Sequence, residues 1–396
     1  NSSGQIAANG GGLTLTGSTL NNSNGSILLA GNGALAITAD SVANDTSGSR
    51  IISNGSISLN AGALLNNAGE ISAASQLTAS AATVTNSGIL ASRGGRAEVT
   101  STGNVSNSGT ISGAQAAVVT AQVLNNTGGT LQSDGAVELT VQNLTAGKIY
   151  AQDLTLNSAS NIVLQSGEQL SASRNLQLQT SGNIINGGSI VASGTLGLGA
   201  NELTNSASGI IRSGGNAVLD QNRLNNSGII SSNSTLRLDA GNTTNTGTLA
   251  AGSQLDINGN ISNSNLLYAG NLLTIDGSVS NTANIYSNGN ASIAGSSITN
   301  SGGTIAAAQN LSISGSILND HTGTVRFVDG AVTNTQNYVG NDPLRDYDQR
   351  GPRQTVTVTL EKRKTTTCHY NRFGVERAKQ HVRDFLGVAG LQLLHA

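Results

Sequence analysis

A short sequence unit recurs along most of the chain about every 20 residues, and this period restricts the possible folds more than any other feature. One unit places apolar residues at Leu249, Leu255, Ile257 and Ile261, followed by an asparagine at Asn263. The next unit repeats the same steps, and so do later ones. Self-similarity on this scale is typical of a repeat protein in which each unit packs on its neighbours.

An asparagine marks most of the units. It occurs at Asn22, Asn44, Asn67, Asn86, Asn107, Asn126, Asn186, Asn205, Asn226, Asn245, Asn263, Asn281, Asn300 and Asn319. The interval from Asn126 to Asn186 has the length of three units, and we interpret it as three units without the asparagine, because LTAGKIYAQDLTL and SGEQLSASRNLQL within it keep the apolar pattern. We expect the amide side chains to stack and to hydrogen-bond one another and the turn backbone.

Apolar and other residues alternate within each unit, as in the segments 35–37 (LAI) and 196–198 (LGL). A period of two predicts strands with one buried face, and the Asn-Gly, Ser-Gly and Gly-Gly pairs between them favour tight bends. A leucine-rich repeat has a similar period but needs a convex helical or extended segment, and the helix is absent here. The sequence therefore predicts an all-β parallel β-helix of about 16 coils between Gln5 and Gly330, in which like residues stack on like.

The composition agrees with a narrow interior. The 396 residues include 51 Gly, 2 Pro, 1 Cys, 6 Tyr, 3 Phe and no Trp, whereas ordinary enzyme domains fill thick cores with many aromatic side chains. Collagen requires far more proline, and disordered chains lack regularly spaced apolar residues. The net charge of −2 indicates no nucleic-acid partner, and the absence of a run of ~18 apolar residues indicates that the chain does not span a membrane.

The repeat pattern ends near residue 330, so we divide the chain into a repeat region, 1–330, and a C-terminal extension, 331–396. The extension contains both prolines and the only cysteine. Its segment NDPLRDYDQRGP is typical of a loop, TVTVTLEKRK predicts a strand, and the apolar spacing from Val375 to Leu394 predicts an amphipathic helix. We thus expect a short extension of mixed structure after the β-helix.

The reactive side chains of the extension do not form a recognisable site. Cys368 and His369 are adjacent, but neighbouring residues seldom present both side chains to one reacting atom, and a catalytic pair also needs an orienting group. His369, His381 and His395 lack the short helical spacing of a zinc pair. We therefore predict no catalytic residue, no cofactor and no metal ion.

The acidic residues of the repeat region keep an enzyme hypothesis open, because β-helices also occur in polysaccharide-processing enzymes and a fold does not fix a function. Two pairs are separated by about one coil, Asp220 with Asp239 and Asp256 with Asp276, and each is predicted to stack on one face. Two stacked carboxylates could contact Ca²⁺, but this ion usually takes six or more oxygen ligands. Solvated outward charges are the commoner explanation of such a pattern.

Three tyrosines lie in the repeat region, at Tyr150, Tyr268 and Tyr286. The last two are separated by one coil and occupy the same position in successive units, so we expect them to stack on the outside of neighbouring coils. Aromatic side chains on an outer surface favour contact with a carbohydrate or a protein. We therefore name these three residues as a possible surface contact.

The units NNSGIISSNSTLRLDAGN, NTGTLAAGSQLDINGN and NNAGEISAASQLTASAATVTN resemble the haemagglutinin repeats of filamentous-haemagglutinin-like exoproteins, over roughly residues 5–330. That family consists of large surface proteins secreted by two-partner systems of Gram-negative bacteria. The resemblance implies a right-handed parallel β-helix, export through an outer-membrane partner transporter, and a location at the cell surface. The amino-terminal secretion domain of the family carries Asn-Pro motifs, and we expect it to be missing here because no proline precedes Pro343.

The resemblance also implies the function. Some members are adhesins, and others are contact-dependent growth inhibition proteins that carry a receptor-binding region and a toxin toward a neighbouring bacterium. We expect a non-enzymatic structural rod that mediates adhesion or projects such a region, with a host-cell or bacterial surface receptor as its partner. The alternative is a β-helical polysaccharide-processing enzyme.

Overall fold

The computed structural model describes residues 3–320 and five further short strands, and all of its regular structure is β-strand. The chain divides into two compact units, residues 1–215 and 216–396. The proposed boundary near residue 330 remains a prediction from the sequence. The helix predicted from Val375 to Leu394 lies outside the described residues, as does most of the extension.

The described residues of the first unit form 25 strands. They are β1 Gln5–Ala8, β2 Gly12–Thr16, β3 Thr19–Asn21, β4 Ser26–Leu29, β5 Ala34–Asn44, β6 Arg50–Ser53, β7 Ser56–Asn67, β8 Glu70–Ala73, β9 Leu77–Asn86, β10 Ile89–Ser92, β11 Arg96–Ser101, β12 Asn104–Asn107, β13 Thr110–Gly113, β14 Ala116–Asn125, β15 Thr130–Ser133, β16 Ala136–Thr145, β17 Lys148–Ala151, β18 Asp153–Ser158, β19 Ile162–Leu164, β20 Gln169–Ala172, β21 Leu176–Thr180, β22 Asn183–Asn186, β23 Ser189–Ala192, β24 Leu196–Asn205 and β25 Ile210–Ser213.

The second unit contains the remaining described strands. They are β26 Ala217–Asn226, β27 Ile229–Ser232, β28 Thr235–Asn245, β29 Thr248–Ala251, β30 Gln254–Asn263, β31 Leu266–Ala269, β32 Leu272–Asp276, β33 Val279–Asn281, β34 Asn284–Ser287, β35 Asn290–Asn300, β36 Thr304–Ala307, β37 Leu311–Asn319, β38 Thr324–Phe327, β39 Val332–Asn334, β40 Tyr338–Val339, β41 Thr357–Thr359 and β42 Thr365–Thr367. The strand β41 lies within the predicted strand TVTVTLEKRK, and it pairs antiparallel with β42.

Each unit is a β-solenoid in which every coil contributes strands to two sheets. In the first unit, short strands of successive coils pair in parallel from β1 through β4 and β6 to β25, and they form the first sheet. In the second unit the corresponding sheet, also called the first sheet, runs from β27 through β29 to β36 and β38. Longer strands such as β5 and β7 pair in parallel in the second sheet. The predicted fold, a parallel β-helix of about 16 coils, is confirmed.

The core is a narrow column of aliphatic side chains inside the coils. Leu255, Leu273, Ala291 and Leu311 are successive register partners, and none is more than 3% exposed. Burial alternates along the strands, with outward residues between the buried ones, as the period of two predicts. Burying one leucine in such a column stabilises the fold by about 1.5–3 kcal/mol. Because each coil encloses only a few side chains, the interior accommodates few aromatic rings.

The predicted asparagine ladder is confirmed. In the first unit, the Nδ2 atoms of Asn22, Asn44, Asn67, Asn86 and Asn107 each donate to the Oδ1 atom of the next asparagine at 2.6–2.8 Å, ending at Asn126. A separate rung joins Asn186 to Asn205 at 2.8 Å. In the second unit, five rungs of 2.7–2.8 Å connect Asn226, Asn245, Asn263, Asn281, Asn300 and Asn319. The amides also donate to turn carbonyls, so the ladder joins each bend to the next coil.

The interval from Asn126 to Asn186 spans three coils, as interpreted from the sequence, but only two ladder positions within it lack an asparagine, not three. Asn126 donates to the carbonyl oxygen of Ala146 at 2.7 Å, and Leu164 is the register partner of Asn186. Ala146 and Leu164 thus occupy the ladder positions as buried apolar residues. The carboxylate of Glu168 accepts hydrogen bonds from the backbone amides of Gly147 and Gln165, at 3.1 and 2.7 Å. It satisfies turn donors in the region that lacks the ladder amide.

Candidate functional site

The three predicted contact residues lie on the outer side of the first sheet. Tyr150 is in β17, Tyr268 in β31 and Tyr286 in β34, and all three are half-buried. Each follows an inward residue that is fully buried, such as Leu267 or Ile285 at 0% exposure. Alternation along a strand therefore directs the tyrosine side chains away from the core.

The structure brings two of these tyrosines together. Tyr268 and Tyr286 are register partners on adjacent coils, with ring centroids 6.0 Å apart and ring planes inclined by 26°. The Tyr286 hydroxyl donates to the Oδ1 atom of Asn288 at 3.3 Å. The predicted stacking on neighbouring coils is confirmed. Tyr150 lies in the other unit, where its hydroxyl donates to Gln169 Oε1 at 3.3 Å.

The tyrosine pair lies on a sheet surface without charged residues. We call this surface the tyrosine face and define it by the outward residues of β27, β29, β31, β34 and β36. These are Ile229, Ser231, Thr248, Ala250, Leu266, Tyr268, Asn284, Tyr286, Thr304 and Ala306. The corresponding sheet of the first unit carries charges, including an Arg50–Glu70 ion pair at 3.4 Å. The tyrosine face is uncharged over five consecutive strands.

The tyrosine face is uneven. Ala306, the register partner of Tyr286, is only 6% exposed although it occupies an outward position of its strand. Ala250, the register partner of Tyr268, remains half-exposed, and so does Ser231 on the preceding coil. Ile229 is 36% exposed. The pair of rings thus stands beside two small, partly exposed residues in the same column.

Two acidic pairs were predicted from the sequence to stack, and only one of them does. Asp220 and Asp239 are register partners, so they stack as predicted. The prediction for Asp256 and Asp276 is wrong, because the coil between β30 and β32 is shorter than the average period and Asp256 lies opposite Thr274 instead. The Asp239 carboxylate accepts from Arg237 Nε at 2.8 Å and from Asn258 Nδ2 at 2.5 Å. Its hydrogen-bonding capacity is thus used by neighbouring side chains.

No group of three or more His, Cys, Asp or Glu side chains that could hold a metal ion occurs among the described residues. The ion pairs there lie on the surface, some within one strand and others between coils. Arg96, for example, contacts Glu98 at 3.4 Å and Glu138, two coils further along, at 3.5 Å. This part of the chain therefore shows no cluster of ligands that would support a Ca²⁺ site.

One ion pair has a clear electrostatic effect. A side-chain hydrogen bond from Arg174 lowers the pKa of Asp153, and hydrogen bonds from Asn175 lower it further, against an opposing effect of burial. The same contact raises the pKa of Arg174. Both side chains lie on the surface, so their attraction is screened by water. The pair joins neighbouring coils. The further side-chain hydrogen bond described for Asp153 comes from Asn175, which is not a nucleophile.

Sequence reasoning did not identify a concavity of about 320 Å³ on the second sheet of the second unit. Its walls are uncharged hydroxyl and amide side chains together with strand backbone. They include Asn242, Thr244, Asn260, Ser262, Ser278, Ser280, Ser297 and Thr299. No perturbed titratable group lines it, so it lacks the features of a catalytic pocket.

The hydrogen-bond pattern also contains two buried polar side chains that the sequence did not indicate. Both amide atoms of Gln221 and the hydroxyl of Thr243 are buried without a hydrogen-bond partner. Cys368, His369, His381 and His395 lie outside the described residues. No candidate catalytic arrangement results from the side chains that the structure describes.

The stacked coils and the asparagine ladder define a repeat protein of the β-solenoid class. Haemagglutinin repeat models match residues 1–40, 30–109, 93–166, 151–232, 212–283 and 268–337. The chain therefore belongs to the haemagglutinin repeat family. No curated protein and no solved structure shows a significant match.

Membership of this family has consequences for function. Its repeats belong to adhesin-type filamentous exoproteins, which are secreted or displayed at the cell surface, and the family is a structural rather than an enzymatic one. No helix in the described residues is long and apolar enough to cross a lipid bilayer. The polysaccharide-enzyme alternative receives no support from the described side chains.

Proposed function

We propose that this chain is the repeat region of a secreted exoprotein at the surface of a Gram-negative bacterium, and that it contacts a receptor on a host cell or a neighbouring bacterium. The main support for the proposal is the succession of six overlapping haemagglutinin-repeat matches, over residues that form stacked coils with an asparagine ladder in each unit. A solenoid of this kind adds length at a constant cost per coil, which suits the presentation of a binding surface away from a membrane.

Export through an outer-membrane partner transporter belongs to the proposal. Each coil pairs mainly with the coils before and after it, as in the parallel register of β27, β29 and β31. A chain that emerges as an unfolded thread can then fold coil by coil on the part already formed. The single cysteine is consistent with passage through an oxidising compartment without disulfide pairing within the chain.

The proposed contact surface is the tyrosine face. Tyr268 and Tyr286 offer half-buried rings on an uncharged surface, and such rings gain contact area with little loss of side-chain freedom. Tyr150 lies outside the tyrosine face and we propose no contact for it, because its register partners are Gln132 and Ser171 and it lies beside Lys148 in its strand. Adhesion is the function we propose first, and delivery of a C-terminal toxin is the second possibility within the same family.

The experiment measures binding of the purified, fluorescently labelled chain to epithelial cells and to Gram-negative bacteria that lack it. We expect saturable binding to one of the two, reduced by the double variant Tyr268→Ala/Tyr286→Ala. The matched control is Tyr150→Ala, which removes the third tyrosine of the same sheet and should leave binding unchanged. Absence of saturable binding to either cell type would contradict the adhesive proposal.

Adhesion and toxin delivery can be separated by growth. Bacteria that bind a strain displaying the chain should grow normally if the chain only attaches cells. Growth arrest of bound recipients, abolished by removal of residues 331–396 and of whatever follows them, would favour delivery.

A further inference from the structure

We propose that the tyrosine face binds the same face of a second copy of this chain, with the coils of the two copies running in opposite directions. This inference rests on the proposed adhesive function and names the partner of its contact surface. Three properties of the face support it, namely its shape, its symmetry and its lack of charge, and its area sets the strength of the pairing.

Side-chain size changes in one step along the tyrosine face. The third residues of β27, β29, β31 and β34 are Ser231, Ala250, Tyr268 and Tyr286. They are register partners on four consecutive coils. Two small side chains are therefore followed by two large ones in a single column, which creates a depression beside a ridge.

This step is complementary to itself. A two-fold axis parallel to the strands, between the coils of Ala250 and Tyr268, reverses the order of the coils and keeps the column facing the same column. Tyr268 of one copy then lies over Ala250 of the other, and Tyr286 lies over Ser231. The column has two small side chains followed by two large ones, and in the second copy this order is reversed. The tyrosines of each copy therefore enter the depression of the other copy.

The exposed fractions of the small residues favour this position of the axis over one beyond Tyr286. Ala250 and Ser231 are half-exposed, so the depression on that side is open. On the opposite side Ala306 is only 6% exposed, so no comparable depression lies directly beyond Tyr286. The tyrosine ridge therefore has an open depression on one side. Only one position of the two-fold axis brings the tyrosines of the second copy into it.

The neighbouring column agrees with the same axis. It consists of Ile229, Thr248, Leu266 and Asn284, the first residues of the same four strands. Around the axis, Thr248 faces Leu266 of the second copy, and Ile229 faces Asn284. None of these residues is charged, so the two copies meet without like-charge repulsion and without burying an ion.

The area determines the strength of the pairing. Four coils at ~4.8 Å and four residues at ~3.3 Å give a footprint of roughly 250 Å² on each copy. The total of about 500 Å² lies well below the ~1,200 Å² typical of stable complexes. A single pair is therefore transient, and many copies on two opposed cell surfaces would bind through avidity. The opposite direction of the coils suits chains that approach from opposite cells.

The test uses the full chain and a charge exchange. Position 250 of one copy faces position 268 of the other, so Ala250→Glu and Tyr268→Lys should each weaken self-association about tenfold or more in sedimentation equilibrium. Mixing the two variants places the introduced carboxylate opposite the introduced ammonium group and should restore association to within a few-fold of the unsubstituted chain. The matched control Tyr150→Lys introduces the same charge at the same strand position of the first unit and should change nothing.

Several results would overturn the proposal. The chain could remain monomeric up to about 1 mM, or association could persist in both single variants. The mixture could also fail to associate although circular dichroism shows that each variant is folded. If the unsubstituted chain is monomeric and the tyrosine variants instead lose binding to an array of neutral glycans, a sugar occupies this face and self-pairing is rejected.

The proposed adhesive function fails independently of this inference. Binding to cells that lack the chain tests the adhesive function alone. Aggregation of cells that all display the chain, inhibited by the soluble unsubstituted chain but not by the Ala250→Glu chain, tests the self-pairing. Heterologous binding without such aggregation would reject the self-pairing and leave the adhesive function supported.

Discussion

Replacing a single ladder asparagine should destabilise the solenoid more than its size suggests, and Asn67→Ala is the sharpest case. Asn67 is 0% exposed. It accepts a hydrogen bond from Asn44 at 2.8 Å and donates to Asn86 Oδ1 at 2.7 Å and to the Ile89 carbonyl at 3.0 Å. Each of these three hydrogen bonds contributes about 1 kcal/mol net to the free energy of unfolding. The buried Asn86 oxygen also loses its amide donor, so the substitution should lower this free energy by about 3–5 kcal/mol.

The control is Asn66→Ala, which makes the same chemical change one residue earlier in β7. Asn66 points outward and is half-buried, so its replacement should cost no more than about 0.5 kcal/mol. Urea unfolding gives the free-energy difference, and hydrogen exchange shows whether the coils next to residue 67 lose protection first. Equal effects of the two substitutions, or a cost below about 1 kcal/mol at residue 67, would refute the idea that the ladder stabilises the bends.

Three further predictions concern other parts of the structure. Because Arg174 lowers the folded pKa of Asp153 below its unfolded value, the carboxylate stabilises the fold above the unfolded pKa, and this stabilisation is lost as pH falls through the folded pKa; Asp153→Asn should therefore reduce the change of the urea midpoint between about pH 5 and pH 2. Gly259 has φ of 126°, and an added Cβ would lie 1.7 Å from a carbonyl oxygen of the preceding coil, so Gly259→Ala should lower the melting temperature clearly; Gly10→Ala, with nothing within 4 Å, should not. Leu267→Ala removes a fully buried side chain and should cost about 2–5 kcal/mol in urea unfolding, and a loss below about 1 kcal/mol would contradict the close packing of the column.

Much of the fold could be predicted because stacking repeats the same environment at every coil. The position of Asn263 in its unit predicts an amide in register with Asn245 and Asn281, and both rungs are present. The same reasoning placed Tyr268 beside Tyr286. Residues that occupy equal positions in neighbouring units become neighbours in space without any long-range choice, which is why period alone was sufficient.

The prediction failed where coil length changed. The separation between Asp256 and Asp276 matched the average period, but the local coil is shorter, so that Asp276 lies opposite Asn258 and Asp256 lies opposite Thr274. Coil length also varies widely elsewhere, as the register shows. Ile27 pairs with Ile51, whereas Leu267 pairs with Ile285. A bend absorbs extra residues at little energetic cost, so the average period does not fix each register.

The sequence by itself determined the fold class, the inward and outward faces of each strand and the ladder at the bends, because these follow from alternation and period. Only the tertiary structure decided which outward residues share a surface. It placed the carboxylate of Glu168 on the turn amides near the missing ladder asparagines, and it aligned Ser231 and Ala250 in one column with the two tyrosines. Such contacts depend on the register between coils, which is set by backbone pairing along the solenoid and not by any residue's own preference.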